Sequence, residues 1–137
     1  MSVYLYVLAA NPMFPEPGAE FRELHGVENG GGIPYLLLAA RPAPPLSAAA
    51  AGDEVVFCRR ENQALTRYGH AAIAGRGALH PRTPPVVLGI YGAVADRWFV
   101  PLRGVTVEEP GPVGPELLTA QELQAFLQGQ AYVKRVR

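Results

Sequence analysis

Apolar residues in this chain come in short runs, each cut off by proline, glycine or charged residues. "VYLYVLAA" (3–10) meets "NPMFPEPG", "GDEVVFC" (52–58) passes into polar "RRENQ", and "VVLGIYGAV" (86–94) follows "PRTPP" and is parted by "AD" from "RWFVPLRGVTV" (97–107). Runs of this length suit strands rather than long helices, and 15 glycines and 14 prolines demand many connections. With 137 residues, about half of them apolar, the chain holds one domain that can bury a core without metal or disulfide staples. The lone Cys58 excludes an internal disulfide and fits a reducing compartment. The apolar start is too short to cross a bilayer and has no basic flank of a leader. No membrane association is expected, and the reading is cytoplasmic.

Taken in order, "VYLYVLAA" is apolar on both faces and reads as an interior strand. "AEFRELHGVENGGG" (19–32) supports a turn or two of helix before the glycine run. Tyr35–Ala40 is a short strand or a helix segment, which periodicity alone does not separate. "GDEVVFC" and the small-residue run "YGHAAIAGRG" (68–77) form two strands across a polar connection. In "RWFVPLRGV", Trp98, Val100 and Leu102 share one side, and Arg97, Phe99 and Arg103 the other. Pro101 argues for an edge or a bulge. Thr119 and Glu122 have capping-box spacing, and Leu123, Phe126 and Leu127 form an apolar stripe. "TAQELQAFLQG" is therefore the best helix, with Gly129 as its stop and "AYVKRV" as a closing strand. The sum is an α+β fold: a small curved mixed β-sheet or β-barrel flanked by a few short helices. Strands this closely spaced leave no room for repeated βαβ units.

A net charge of zero conceals an asymmetry. Residues 1–58 hold six acids against two arginines, whereas residues 59–103 hold Arg59, Arg60, Arg67, Arg76, Arg82, Arg97 and Arg103 against Glu61 and Asp96. A basic middle fits an anionic partner. Eleven of the twelve basic residues are arginine, a bias that GC-rich coding also produces.

Catalytic signatures are missing. His25, His70 and His80 have no metal-ligand spacing, and "ENGGGIP" lacks the lysine of a phosphate loop. No metal and no cofactor are expected. Cys58 and His70 could meet across the hairpin, but a thiol among Val and Phe behaves as a small inert hydrophobe. The pairs Asp53/Glu54 and Glu108/Glu109 read as solvated turn residues, since neighbours on a strand face opposite ways. The chain is not expected to be an enzyme. Arginines with scattered aromatics suit nucleic acid: guanidinium groups hold phosphates, and rings stack on bases. Stacking candidates are Phe14, Tyr35, Tyr68, Tyr91 and Trp98, with core burial the competing role for each.

The order "LAANPMF", "GDEVVF", "GHAAIAGRG", "RWFVPLRGV", "LLTAQELQAFLQGQAYVKRV" resembles the PUA-like superfamily, especially its EVE and YTH branches, over most of the chain. The resemblance implies a curved sheet with a pocket for a single base. It also implies a non-catalytic module that flips a modified base out of duplex DNA, as in the N-terminal domains of McrB-like restriction systems. In that setting residues 1–137 are one domain, an N-terminal piece of a larger protein, with a fused or associated AAA+ ATPase or nuclease as partner. The base pocket then falls to Asn11, Phe14, Tyr35, Cys58, Tyr68 and Trp98, and phosphate contacts to Arg59, Arg60, Arg67, Arg76 and Arg82. Two positions depart from the EVE pattern, Cys58 in place of a Tyr and Phe14 in place of a Trp. The residues also leave open an RNA-binding module of the same fold, a pocket for a free nucleotide-like ligand, and proline-rich loops that contact a protein.

Overall fold

A computed structural model describes residues 1–8, 35–39, 45–61, 64–80, 97–129 and 131–137. Its strands are β1 (Val3–Leu8), β2 (Tyr35–Ala39), β3 (Glu54–Glu61), β4 (Ala64–Ile73), β5 (Ala78–His80), β6 (Arg97–Pro112) and β7 (Val133–Arg135), with helix α1 at Ala120–Gln128. They lie in the order β2-β6-β4-β3-β1-β7, and β5 is paired to β6 beside β2. Among the described residues only β1 and β3 run parallel; the other pairings are antiparallel. The fold is α+β: among the described residues, a mixed sheet with one α-helix. Among the described residues the sheet is open, with β2 and β7 at the ends of the path and one short 3-10 turn, Pro45–Ala48, as the other helical element. The run 86–94 and the helical turn expected over 19–32 lie outside the described residues.

Burial on both faces explains why β1 and β3 read as continuous apolar runs. On one face Tyr4, Tyr6, Val55, Phe57, Tyr68, Ile73, Val100 and Leu102 share a cluster with Leu36 and Leu38 of β2 and Val133 of β7. Strands from both ends of the sheet thus meet around the same core, and the 3-10 turn, which buries Leu46, touches both β6 and β7. The sheet curls around this face, which we call concave. On the opposite, convex face Val3, Leu5, Val7, Val56, Cys58 and Leu65 pack beneath Phe126 of α1 and Leu117 and Leu118 ahead of it.

Helix α1 begins with a complete capping box. Thr119 accepts from the Glu122 N–H at 3.1 Å, and the Glu122 carboxylate accepts from the Thr119 N–H at 3.1 Å, which holds its pKa below the usual carboxylate value. Gly129 ends the helix by donating to the Phe126 carbonyl at 3.2 Å.

Pro101 corrects the sequence reading, and β4 adds to it. Pro101 lies inside the sheet. It faces Tyr35 of β2, and its carbonyl accepts from Ala74 N–H at 2.9 Å, where β6 changes partner from β5 to β4. A ring nitrogen without hydrogen is tolerated where one ladder stops and another starts. Strand β4 also breaks its alternation, with register shifts between Arg67 and Gly69 and between His70 and Ala72. At the first, a Cβ on Gly69 would stand 2.7 Å from the Thr106 carbonyl oxygen, so the approach of β4 to β6 requires glycine.

Candidate functional site

The hairpin arginines go to different places. Arg60 reaches across to α1, where its guanidinium donates to the carbonyls of Gly129 (3.1 Å), Phe126 (3.4 Å) and Ala131 (3.5 Å) and lies 5.6 Å from the centre of the Phe126 ring. It adds a donor to carbonyls at and just beyond the helix end, with favourable charge for the helix dipole. Arg67 forms a two-point ion pair with Glu108 of β6, Nε to Oε2 at 2.9 Å and Nη2 to Oε1 at 3.0 Å. Arg59 is half-buried, and alternation puts it on the concave side with Val55 and Phe57. Arg76 is exposed in the bend between β4 and β5.

The proposed pocket residues are likewise divided. Cys58 is fully buried on the convex side, and burial pushes its thiol up to about 12, so no thiolate is available for chemistry with His70. Tyr68 is buried on the concave side against Phe57, with ring centroids 6.3 Å apart. Trp98 is half-buried against that same concave cluster, flanked along the sheet by Leu38 of β2 and Leu79 of β5. Of Tyr35 the backbone is described, as the first residue of β2. Asn11, Phe14 and Arg82 lie outside the described residues. The structure thus joins Tyr68 and Trp98 in one cluster and sets Cys58, Arg60 and Arg67 on the other face.

A site that sequence patterning missed stands on the convex face beyond α1. Glu108, expected in a solvated turn, is instead in β6, where it is gripped by Arg67 and by His70 Nδ1, which contacts Oε1. The Arg67 hydrogen bonds, helped by His70, hold the Glu108 carboxyl below its usual value, and those same bonds raise Arg67. Strict alternation would send Arg67 and His70, three residues apart, to opposite faces; the bulge at Gly69 returns them to one. Gly69 in a run of small residues was the available signal. Asp53, also expected in a solvated turn, accepts the N–H of Ser2 and of Ala50, both at 2.9 Å. The Ala50 bond, then that of Ser2, lowers its pKa. Among the described residues no three His, Cys, Asp or Glu side chains converge to hold a metal, and no helix is long and apolar enough to cross a membrane.

Comparison with known proteins adds no family name: no family model matches the chain, and no curated protein is significantly similar to it.

Proposed function

We propose that this chain is a PUA-like domain of the EVE or YTH kind, a non-catalytic module that binds DNA and receives one modified base beside Trp98. The observation that carries this reading is the position of the indole. Trp98 is half-buried on the concave face and flanked by β2 and β5. Residues 9–34, with Asn11 and Phe14, lead into β2. Residues 81–96, with Arg82, leave β5 and re-enter the sheet at Arg97, one residue from the indole. An aromatic face is worth roughly 1–3 kcal/mol per stacked base, which offsets much of the few kcal/mol needed to extrude one. Arg76 and Arg82 supply phosphate contacts, which position the duplex without reading its sequence. Cys58, Arg60 and Arg67 have no part in this pocket, since they serve the opposite face. The partner in this reading is an AAA+ ATPase or nuclease of a restriction system, acting in the cytoplasm.

Trp98 is the sole tryptophan, so its fluorescence reports the pocket directly. Titration with methylated duplex should quench it, unmodified duplex should bind at least tenfold more weakly, and affinity should fall steeply with salt. Trp98→Ala should abolish the preference for the modified base. Equal, negligible binding of every duplex at low salt would sink the reading, and single-stranded RNA outcompeting methylated DNA would transfer the pocket to RNA.

A further inference from the structure

The convex face holds a cleft of about 380 Å³ lined by Gly52, Glu54, His70, Ala72, Arg103 and Gly104. Three local features shape it. Ala72 and Arg103 face each other across the β4–β6 ladder, so the small side chain leaves room beside the guanidinium. Gly104 turns β6 at φ 63°, a left-handed conformation that other residues rarely adopt. His70 Nδ1 is engaged by Glu108, itself fixed by Arg67, and so Nε2 is the ring nitrogen left for a ligand. Arg103 is exposed and has no ion-pair partner among the described residues.

We propose that this cleft binds a phosphate group, with His70 Nε2 and the Arg103 guanidinium as its donors. An arginine fork takes two phosphate oxygens side by side, and a third oxygen remains for the imidazole. The volume accommodates a phosphate together with its attached sugar. Asp53 and Glu54 also line the cleft and oppose the anion, with the Asp53 carboxylate turned to the backbone N–H groups of Ser2 and Ala50. Phosphate binding is coupled to protonation of His70. A neutral Nε2 presents a lone pair to phosphate oxygens, whereas the imidazolium donates from both nitrogens. The titratable and charged residues that share this cleft or touch the ring are Glu108 on β6, Arg67 on β4, Glu54 on β3, Asp53, Arg103 and Met1, with Thr106 of β6 opposite His70.

The test is a titration of the full chain, followed by NMR, with inorganic phosphate, adenosine monophosphate and a short DNA duplex at pH 6 and pH 8, either side of the usual imidazole titration. The His70 ring protons and the Gly104 amide should shift saturably at pH 6, with affinity about tenfold weaker at pH 8. Arg103→Ala and His70→Gln should each weaken binding about tenfold, and Glu54→Gln should strengthen it. Trp98→Ala should leave these shifts intact, which separates this site from the base pocket. Saturation by the monophosphate assigns the site to free nucleotides, and saturation by the duplex alone assigns it to nucleic-acid backbone. No shift at His70 with any of the three probes at pH 6, or unchanged affinity in Arg103→Ala, would overturn the proposal.

Discussion

The convex face has two halves built on the same strands, and they are stabilised by different physics. Under α1, Leu5, Val7, Val56, Cys58 and Leu65 are buried against Phe126 and its neighbours. Beyond it, the face carries Arg67, His70, Glu108 and Arg103, and Arg67 is the direct partner of Cys58 across the β3–β4 ladder. Where the cover stops, the side chains become charged and pair with one another. Apolar burial fixes the architecture of one half, and ion pairing over a bulge shapes the other.

If that division is right, the largest loss comes from the covered half. Phe126→Ala should cost about 3–5 kcal/mol in denaturant unfolding, because it removes a buried ring and the surface over which Arg60 lies. A loss below about 1 kcal/mol would mean that α1 is not the essential cover. The seam comes next. Gly69→Ala forces a methyl group against the Thr106 carbonyl and should destabilise by about 1–3 kcal/mol, with altered amide shifts on both β4 and β6. Thr119→Ala, which removes the helix cap, should cost about 1 kcal/mol by the same unfolding measurement.

The smallest change falls on the ionic half. Glu108→Gln should lose about 0.2–1 kcal/mol, since both partners are partly open to solvent, with side chains 28% and 26% exposed. The sign of its pH dependence is fixed. A carboxyl whose folded pKa is lowered contributes above its ordinary value of 4.5, and that contribution fades as pH falls through the lowered value. The stability gap between wild type and Glu108→Gln should therefore close in acid. Combined with Phe126→Ala, the two losses should add to within about 0.5 kcal/mol; a larger departure would show that the halves are coupled.

Local chemistry made much of this legible in advance. Strand β3 followed from the Gly-Asp turn before it and the apolar run Val55–Cys58, and β4 from the small-residue run beyond a polar connection. Helix α1 followed from Thr119, Glu122 and the stripe through Phe126, and the common side of Trp98, Val100 and Leu102 followed from a period of two. The partners of the arginines did not follow. Arg60 meets carbonyls 66 to 71 residues away, and Arg67 meets a carboxylate 41 residues away. The second pairing also needs a bulge that reverses the alternation used to place side chains. Pro101 was misplaced for a related reason: the signal reports a missing donor, and the change of ladder that accommodates it belongs to the whole sheet.

Strand β1 joins partners that are remote in the chain, Glu54 onward in β3 and Val133–Arg135 in β7. Val3 meets Glu54 across 51 residues, and Tyr4 meets Arg135 across 131. Strand β1 therefore leaves a ribosome long before β7, its second neighbour, carrying "VYLYVL" with one hydrogen-bonding edge vacant. Contacts so distant close slowly, and an unpaired apolar edge is prone to wrong associations. Assembly of this sheet is thus most vulnerable in the interval between β1 and β7.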